Sequence, residues 1–198
     1  WSSDVCSSDL MRTFYQDGHC LDEYVVVGHL PTSNHHQNRI DNNIIIDKEK
    51  RIICIDGGTG VKSISQLNAL IIEGNGNEYK LLTDYVQPLP IYQAKVDVLV
   101  EKQDVHKVAW PSFEVQVIKA GKNFTLCRQI DTNQTFKIKN EFLYQKDNKT
   151  YCLDDYVDCM VGLNKGELVK LIGIFGPYAY VIKDNEIGWV KFCYLKKC

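Results

Sequence analysis

Gly28 and His29 follow the apolar run Tyr24–Val27 and precede a loop of sequence LPTSN. The three valines of this run show no apolar–polar alternation, which is typical of a strand covered on both faces. In open α/β sheets, ligands bind at the carboxyl ends of such interior strands. Glycine lets the backbone approach a ligand closely, and a neutral imidazole can face a metal ion or a phosphate. The sequence therefore predicts a site at His29, although a loop histidine can equally be hydrogen-bonded to the backbone.

A second apolar run, Arg51–Asp56, ends in a carboxylate before Gly57 and Gly58. Asp56 either orients a ligand from behind the site or starts the glycine turn, and the sequence leaves both roles open. We expect His35 and His36 to be solvated loop histidines. We expect Cys54 to be a buried and inert thiol.

Three further segments, NNIIID, RIICIDGGTG and QLNALII, follow the valine strand in this order. Together with VVVGHLPTSN, over residues 20–75, they resemble the C-terminal end of the metallophosphoesterases. The resemblance is to the calcineurin-like branch, which includes serine/threonine protein phosphatases and bacterial dinucleoside tetraphosphatases. Leu30 stands where that pattern has Thr, Pro31 gives the protein-phosphatase-like form of the motif, and IDGG replaces IDTG.

The resemblance implies that His29 ligates one of two divalent metal ions, which would be manganese, iron or zinc. Gly28 and Asp56 would lie in the shell around that ligand. Two such ions can activate a hydroxide and stabilise an in-line displacement at phosphorus. The family's GD and GNH[DE] motifs do not occur between residues 11 and 28. The parent protein would therefore hydrolyse phosphomonoesters, phosphoproteins or dinucleoside polyphosphates, while the present chain alone is expected to be an inactive fragment.

The first ten residues, WSSDVCSSDL, resemble the translation of a sequencing adapter, and we expect them to be an artefactual arm. Without this arm, the 23 basic and 25 acidic residues become 23 of each. Such a balance predicts neither nucleic-acid nor membrane partners, and the chain has no run of 18 apolar residues. The seven cysteines outside the arm are scattered without a C-x-x-C pair, which indicates reduced thiols and a cytoplasmic location.

The fold class predicted from these patterns is α/β, as an incomplete metallophosphoesterase sheet seen mostly as strands, followed by small all-β barrels. Pro88 and Pro90 deny their stretch a regular helix or a central strand. The predicted organisation is an arm at 1–10, the C-terminal part of a metallophosphoesterase domain at 11–83, a linker at 84–95, and β-barrels at 96–150 and 151–198.

The last barrel resembles bacterial Src-homology-3-like domains through a Gly-led strand, an Asp-Asn turn, the sequence GWV and a terminal YL. The barrel before it is expected to be a diverged copy or a related small barrel, since Gly121–Tyr144 aligns with Gly166–Tyr194. We expect residues 151–198 to fold independently. Their aromatic side chains predict core packing, or a groove for an extended peptide or protein ligand. The candidate groove residues are Tyr178, Tyr180, Trp189 and Tyr194. The alternative function is therefore a non-catalytic binding protein that uses tandem barrels.

Overall fold

The computed structural model describes residues 7–75, 78–101 and 104–198. Residues 1–6 of the predicted arm lie outside this part of the chain, and residues 7–10 belong to helix α1 (Ser7–Asp17). Among the helices described, none combines the length and apolar character needed to cross a membrane.

The chain divides into two compact units. The first unit comprises residues 1–36 and 41–87, and the second comprises residues 37–40 and 88–198. Within the part of the chain that the structure describes, strands account for 46% and helices for 10%. The prediction of a β-rich chain is therefore confirmed.

The first unit contains a three-stranded sheet and a separate hairpin. Its strands are β1 (Val25–Val27), β2 (Ile45–Asp47), β3 (Ile52–Cys54), β4 (Leu67–Gly74) and β5 (Tyr79–Val86). In the order β1-β3-β2, β1 runs parallel to β3 and β2 runs antiparallel to it, while β4 pairs with β5. The β-branched runs that predicted β1 to β4 form these strands because such side chains suit a pleated surface.

A polar turn joins β2 to β3, as the sequence DKEK predicts. The Asp47 Oδ1 accepts the main-chain N–H groups of Glu49 (3.1 Å) and Lys50 (2.9 Å). The Lys50 Nζ then donates to the carbonyl oxygens of Tyr15 and Gln16 at the end of α1. A cation at this end of a helix stabilises its unpaired carbonyl groups, so the hairpin tip holds α1 in place.

In the present chain β1 is not covered on both faces. Within the described residues β1 is an edge strand, since it pairs with β3 alone. The Val26 side chain is 47% exposed. The strand Val25–Val27 therefore has one unpaired edge among the described residues, and its face that carries Val26 is partly exposed.

The second unit contains two five-stranded sheets and one two-stranded sheet. Its strands are β6 (Ile91–Ala94), β7 (Lys107–Val108), β8 (Glu114–Lys119), β9 (Phe124–Gln129), β10 (Thr135–Lys139), β11 (Leu143–Lys146), β12 (Lys149–Cys152), β13 (Tyr156–Val157), β14 (Leu168–Phe175), β15 (Tyr178–Lys183), β16 (Glu186–Lys191) and β17 (Leu195–Lys197). The larger sheets have the orders β10-β9-β8-β12-β11 and β16-β15-β14-β6-β17, and β7 pairs with β13. None of these sheets closes on itself within the described residues.

The two larger sheets repeat one arrangement. In each, three consecutive antiparallel strands are followed by a short 3₁₀ turn and a strand at the far edge, with one further strand between. The 3₁₀ turns are Asn140–Phe142 and Phe192–Tyr194. They set Phe142 equivalent to Tyr194, two residues away from the equivalence predicted from the sequence alignment.

The predicted linker at 84–95 is only partly a connection. Strand β5 extends to Val86, and β6 lies between β14 and β17 in its sheet. Pro88 and Pro90 exclude a central strand only at their own positions. Strand β6 begins directly after Pro90 and is a central strand. Its carbonyl oxygen accepts the N–H of Leu171 (2.8 Å).

The predicted division at residue 150 does not separate two independent barrels. Strand β17 pairs only with β6 among the described strands, so residues 151–198 depend on residues 91–94. A shared aromatic core also crosses the division. The Phe142 ring lies 5.8 Å from that of Trp189 and 5.2 Å from that of Tyr156.

Candidate functional site

His29 lies two residues beyond β1, with its side chain exposed. Its φ angle is +73°, a left-handed conformation that few residues other than glycine adopt. Such backbone is concentrated at functional sites. Gly28 is also exposed, and a Cβ atom added there would meet nothing within 4 Å. The structure therefore places the imidazole at the carboxyl end of β1, and local packing does not explain Gly28.

Asp56 lies two residues beyond β3, the parallel neighbour of β1. Val27 is opposite Cys54, and the Ile55 N–H donates to the Val27 carbonyl oxygen (3.0 Å). The loop after His29 then returns to this strand, because the Thr32 N–H donates to the Asp56 carbonyl oxygen (2.8 Å). The structure thus brings the His29 and Asp56 segments together at one edge of the sheet.

The Asp56 carboxylate takes the turn-forming role that the sequence left open. Its Oδ1 accepts the N–H of Gly58 (2.8 Å). Gly58 has a φ of +77°, and a Cβ atom at Gly57 would lie 2.0 Å from the Gln66 carbonyl oxygen. Glycine is therefore required at 57 by close approach and favoured at 58 by conformation.

A network of amide side chains supports this loop, and the sequence analysis missed it. The Asn68 Nδ2 donates to the carbonyl oxygens of Asn42 (2.7 Å) and Ile55 (3.0 Å). The Gln66 Nε2 donates to the Oδ1 atoms of Asn43 and Asn68. Buried amides stabilise a fold only when they are paired, so this network fixes the end of β3. Its sequence signal is a set of amides beside apolar runs.

His35 and His36 are not simply solvated, as the sequence analysis expected. The His35 ring centroid lies 4.4 Å from that of Tyr15. The His36 Nε2 lies 3.9 Å from the Asp41 Oδ2. Both histidines are half-buried because the 3₁₀ turn Thr32–His35 packs their segment onto the unit.

Cys54 is buried, as predicted. Burial raises the pKa of its thiol to about 11, and the negative charge of Asp47 acts in the same direction. A thiol with a raised pKa is a poor nucleophile at neutral pH. The burial of Cys54 therefore agrees with a structural role for this residue.

The metal-binding capacity of the first unit can be judged from its donors. His29 offers one nitrogen, and the Asp56 carboxylate is engaged by the glycine turn. Across the described ranges, no group of three or more His, Cys, Asp and Glu side chains converges. A dinuclear site needs more ligands than one imidazole, so these residues alone do not make up such a site.

In the second unit, Tyr180 and Trp189 are core residues, not groove residues. Both are 0% exposed, which excludes them from a ligand surface in this structure. The Trp189 Nε1 donates to the Val157 carbonyl oxygen (3.0 Å), and the Tyr180 hydroxyl accepts the Val157 N–H (3.1 Å). Burial raises the pKa of Tyr180 well above its ordinary value. The sequence signal was misleading because ring size favours both cores and grooves.

The other two candidate groove residues differ from each other. Tyr178 is half-buried, and its ring meets that of Phe124 edge-on at 4.9 Å. Tyr194 lines a groove of about 530 Å³. The other residues that line it are Val96, Asp97, Val98, Leu99, Val100, Glu101, Met160 and Lys191.

This groove is lined by apolar side chains and a few charged groups. The Leu99 side chain is 96% exposed and that of Val96 is 43% exposed. Asp97 and Glu101 contribute carboxylates, and the Lys191 Nζ lies 5.7 Å from the centroid of the Tyr194 ring. Ligand sites commonly combine apolar lining residues with a few polar groups.

No protein-family model matches this chain, and no curated protein matches it either.

Proposed function

We propose that this chain is the C-terminal part of a metal-dependent phosphoesterase of the calcineurin-like branch, in which His29 is one metal ligand. The observation that carries the proposal is the placement of His29 and Asp56 at the carboxyl ends of two adjacent parallel strands. This is where open α/β sheets bind ligands. The exposed, left-handed backbone at His29 supports a role beyond packing.

Exposed apolar side chains support the proposal that further strands of the same polypeptide cover this unit. Val26 on β1 is 47% exposed, and Leu67 and Ile72 on β4 are 64% and 61% exposed. Parallel sheets are normally covered on both faces. A two-stranded hairpin such as β4–β5 is marginal by itself.

His29 brings one imidazole to this edge of the sheet, so we propose that the other ligands of two manganese, iron or zinc ions lie on another segment of the parent. The present chain is accordingly expected to be inactive. The substrate class is a phosphate ester, as a phosphomonoester, a phosphoprotein or a dinucleoside polyphosphate. Buried free cysteines such as Cys127 and Cys152 support a reducing compartment such as the cytoplasm.

The test compares the 198-residue chain with the longer protein encoded by its complete gene, using p-nitrophenyl phosphate and Mn²⁺. We expect activity only in the longer protein. His29→Ala should lower its rate at least about 10- to 100-fold, the loss typical even for residues that only support a ligand. His36→Ala is the matched control and should retain most of the rate. Equal losses in the two variants would contradict a specific role for His29.

The groove beside Tyr194 favours a second candidate function, the binding of an extended peptide by the second unit. Its apolar lining residues suit an apolar side chain, and the Asp97 and Glu101 carboxylates favour a basic residue beside it. Tyr194→Ala should weaken binding of a peptide that alternates Leu and Lys, measured by fluorescence anisotropy. Tyr79→Ala, at an exposed tyrosine of the first unit, is the control and should have no effect.

A further inference from the structure

We propose that the exposed face of the β8–β12 sheet binds single-stranded nucleic acid. The outer face is defined by the side chains of Glu114, Gln116, Lys119, Arg128, Thr135, Lys137, Tyr144, Lys146, Lys149 and Tyr151. It belongs to the second unit and uses no residue of the phosphoesterase proposal, so the two proposals stand or fall separately.

Strand register brings these side chains to one face. Residues opposite each other in antiparallel strands point to the same side of a sheet. Arg128 is opposite both Gln116 and Thr135, and Lys146 is opposite Lys149. Several intervening positions are core residues, since Val115, Cys127, Phe136 and Ile138 are all at most 3% exposed.

Lysines reach the same face on both sides of β9. Lys119 and Lys137 are each opposite Leu126. Both lysines are exposed. Each of the five strands therefore carries a cation on the outer face, and neighbouring strands are about 4.8 Å apart.

Most of these cations are available to a ligand. Lys119, Arg128, Lys137 and Lys146 have no ion-pair partner among the described residues. The Lys149 Nζ pairs with the Glu114 Oε2 (2.8 Å), and Glu114 is the acidic residue that the outer face contains. The turn from β11 to β12 adds Asp147 at its tip. The face keeps an excess of positive charge.

The net charge of the whole chain hides this distribution. Residues 88–198 contain 16 basic and 13 acidic residues, whereas residues 1–87 contain 7 and 12. The expectation of no nucleic-acid partner rested on the equal totals of 23 basic and 23 acidic residues outside the predicted arm. A polyanion responds to the local face, because charges farther away than about 10 Å are largely screened at 0.1 M salt.

Two tyrosines give the outer face a surface on which bases can stack. Tyr144 and Tyr151 lie opposite each other on β11 and β12, with ring centroids 5.5 Å apart and an interplanar angle of 26°. The Tyr144 side chain is 41% exposed. Proteins that bind single-stranded nucleic acids combine aromatic rings, on which the bases stack, with cations that pair with the phosphates.

The rings favour single-stranded nucleic acid over other polyanions. A duplex keeps its bases stacked inside, and a sulfated polysaccharide has no bases. Either would bind through the cations, so the loss of the Tyr144 ring would not change its affinity.

The test uses the full chain and measures fluorescence anisotropy with labelled dT12, rU12 and a 12-bp duplex over a range of salt concentrations. We expect both single strands to bind more tightly than the duplex, and the ratio of dT12 to rU12 affinity to show whether DNA or RNA is preferred. Lys146→Gln should reduce the steepness of the log–log salt dependence by about 0.7 for each phosphate that the protein no longer neutralises. The control Lys196→Gln changes the same charge on β17 and should leave the slope unchanged.

The tyrosine variants separate stacking from charge. Tyr144→Ala should weaken dT12 binding about 5- to 150-fold, the range for loss of one stacked base, while Tyr144→Phe should retain binding. Circular dichroism should show that both variants remain folded. Absent binding of dT12, or binding matched by heparin and unaffected by Tyr144→Ala, would overturn the proposal.

Discussion

The main-chain N–H of Thr32 donates a hydrogen bond to the carbonyl oxygen of Asp56 over 2.8 Å. This bond ties the loop that carries His29 to the end of the neighbouring parallel strand. The Asp56 carboxylate meanwhile holds the Gly58 N–H. The position of the His29 loop therefore depends on the geometry of the Asp56–Gly58 turn.

Gly57→Ala should destabilise the first unit because the new Cβ atom would lie 2.0 Å from the Gln66 carbonyl oxygen. Backbone on both sides of this contact would have to shift. We expect a loss of about 2 kcal/mol or more, at the upper end of ordinary single substitutions. Chemical denaturation measures this loss.

Gly28→Ala is the matched control for that measurement. A Cβ atom at Gly28 meets nothing within 4 Å, so stability should change by less than about 1 kcal/mol. Equal destabilisation by the two substitutions would show that the close approach at Gly57 is not the cause.

A polypeptide of residues 88–198 should unfold cooperatively, whereas one of residues 151–198 should not. The shorter piece lacks β6, which lies between β14 and β17, and lacks Phe142 from the core around Trp189. Trp189 fluorescence during denaturant unfolding measures the difference. A cooperative transition in the shorter piece would restore the independent barrel that the sequence predicted.

Four thiols should resist alkylation in the folded chain, those of Cys54, Cys127, Cys152 and Cys159. Burial raises their pKa values to about 11, 11, 12 and 11. At pH 8, iodoacetamide should modify exposed Cys20, Cys193 and Cys198 first. Peptide mass spectrometry identifies the labelled sites, and early labelling of Cys152 would contradict this order.

The same thiols predict a pH dependence of stability. Their folded-state pKa values lie above the ordinary value of 9.0, so the folded chain binds their protons more tightly than the unfolded chain does. This contribution is fully present below pH 9 and is lost as the pH rises from 9 through the folded-state pKa values, about 11 for Cys54 and about 12 for Cys152. Denaturation midpoints at pH 8, 9 and 10 should fall in that order, and replacing Cys152 with Ala should flatten the decline.

The sequence predicted strands β1 to β4 of the first unit but not β5, because β-branched runs between turn residues leave few alternatives for the first four. It predicted β2 and β3 with their polar turn for the same reason. It missed the strand at 91–94, because Pro90 excludes a central strand only at its own position and the residues after it are free to pair. It also missed the shared core, because the size of the Trp189 ring does not show whether it lines a ligand groove or packs against Phe142.

The candidate site was predictable in part. The position of His29 after a valine strand follows from local pattern. The pairing of β1 with β3, which brings Asp56 alongside, depends on contacts more than twenty residues apart along the chain. The amide network around Asn68 likewise depends on long-range packing that periodicity does not reveal.

Metal analysis of the longer protein tests the role of His29 most directly. After purification with Mn²⁺ and removal of loosely bound ions, atomic emission spectroscopy should find close to two metal ions per chain. His29→Ala should retain at most about one metal ion, because the ion that His29 binds loses one of its ligands. His36→Ala should retain both ions. Two ions per chain in His29→Ala would contradict the assignment of His29 as a metal ligand.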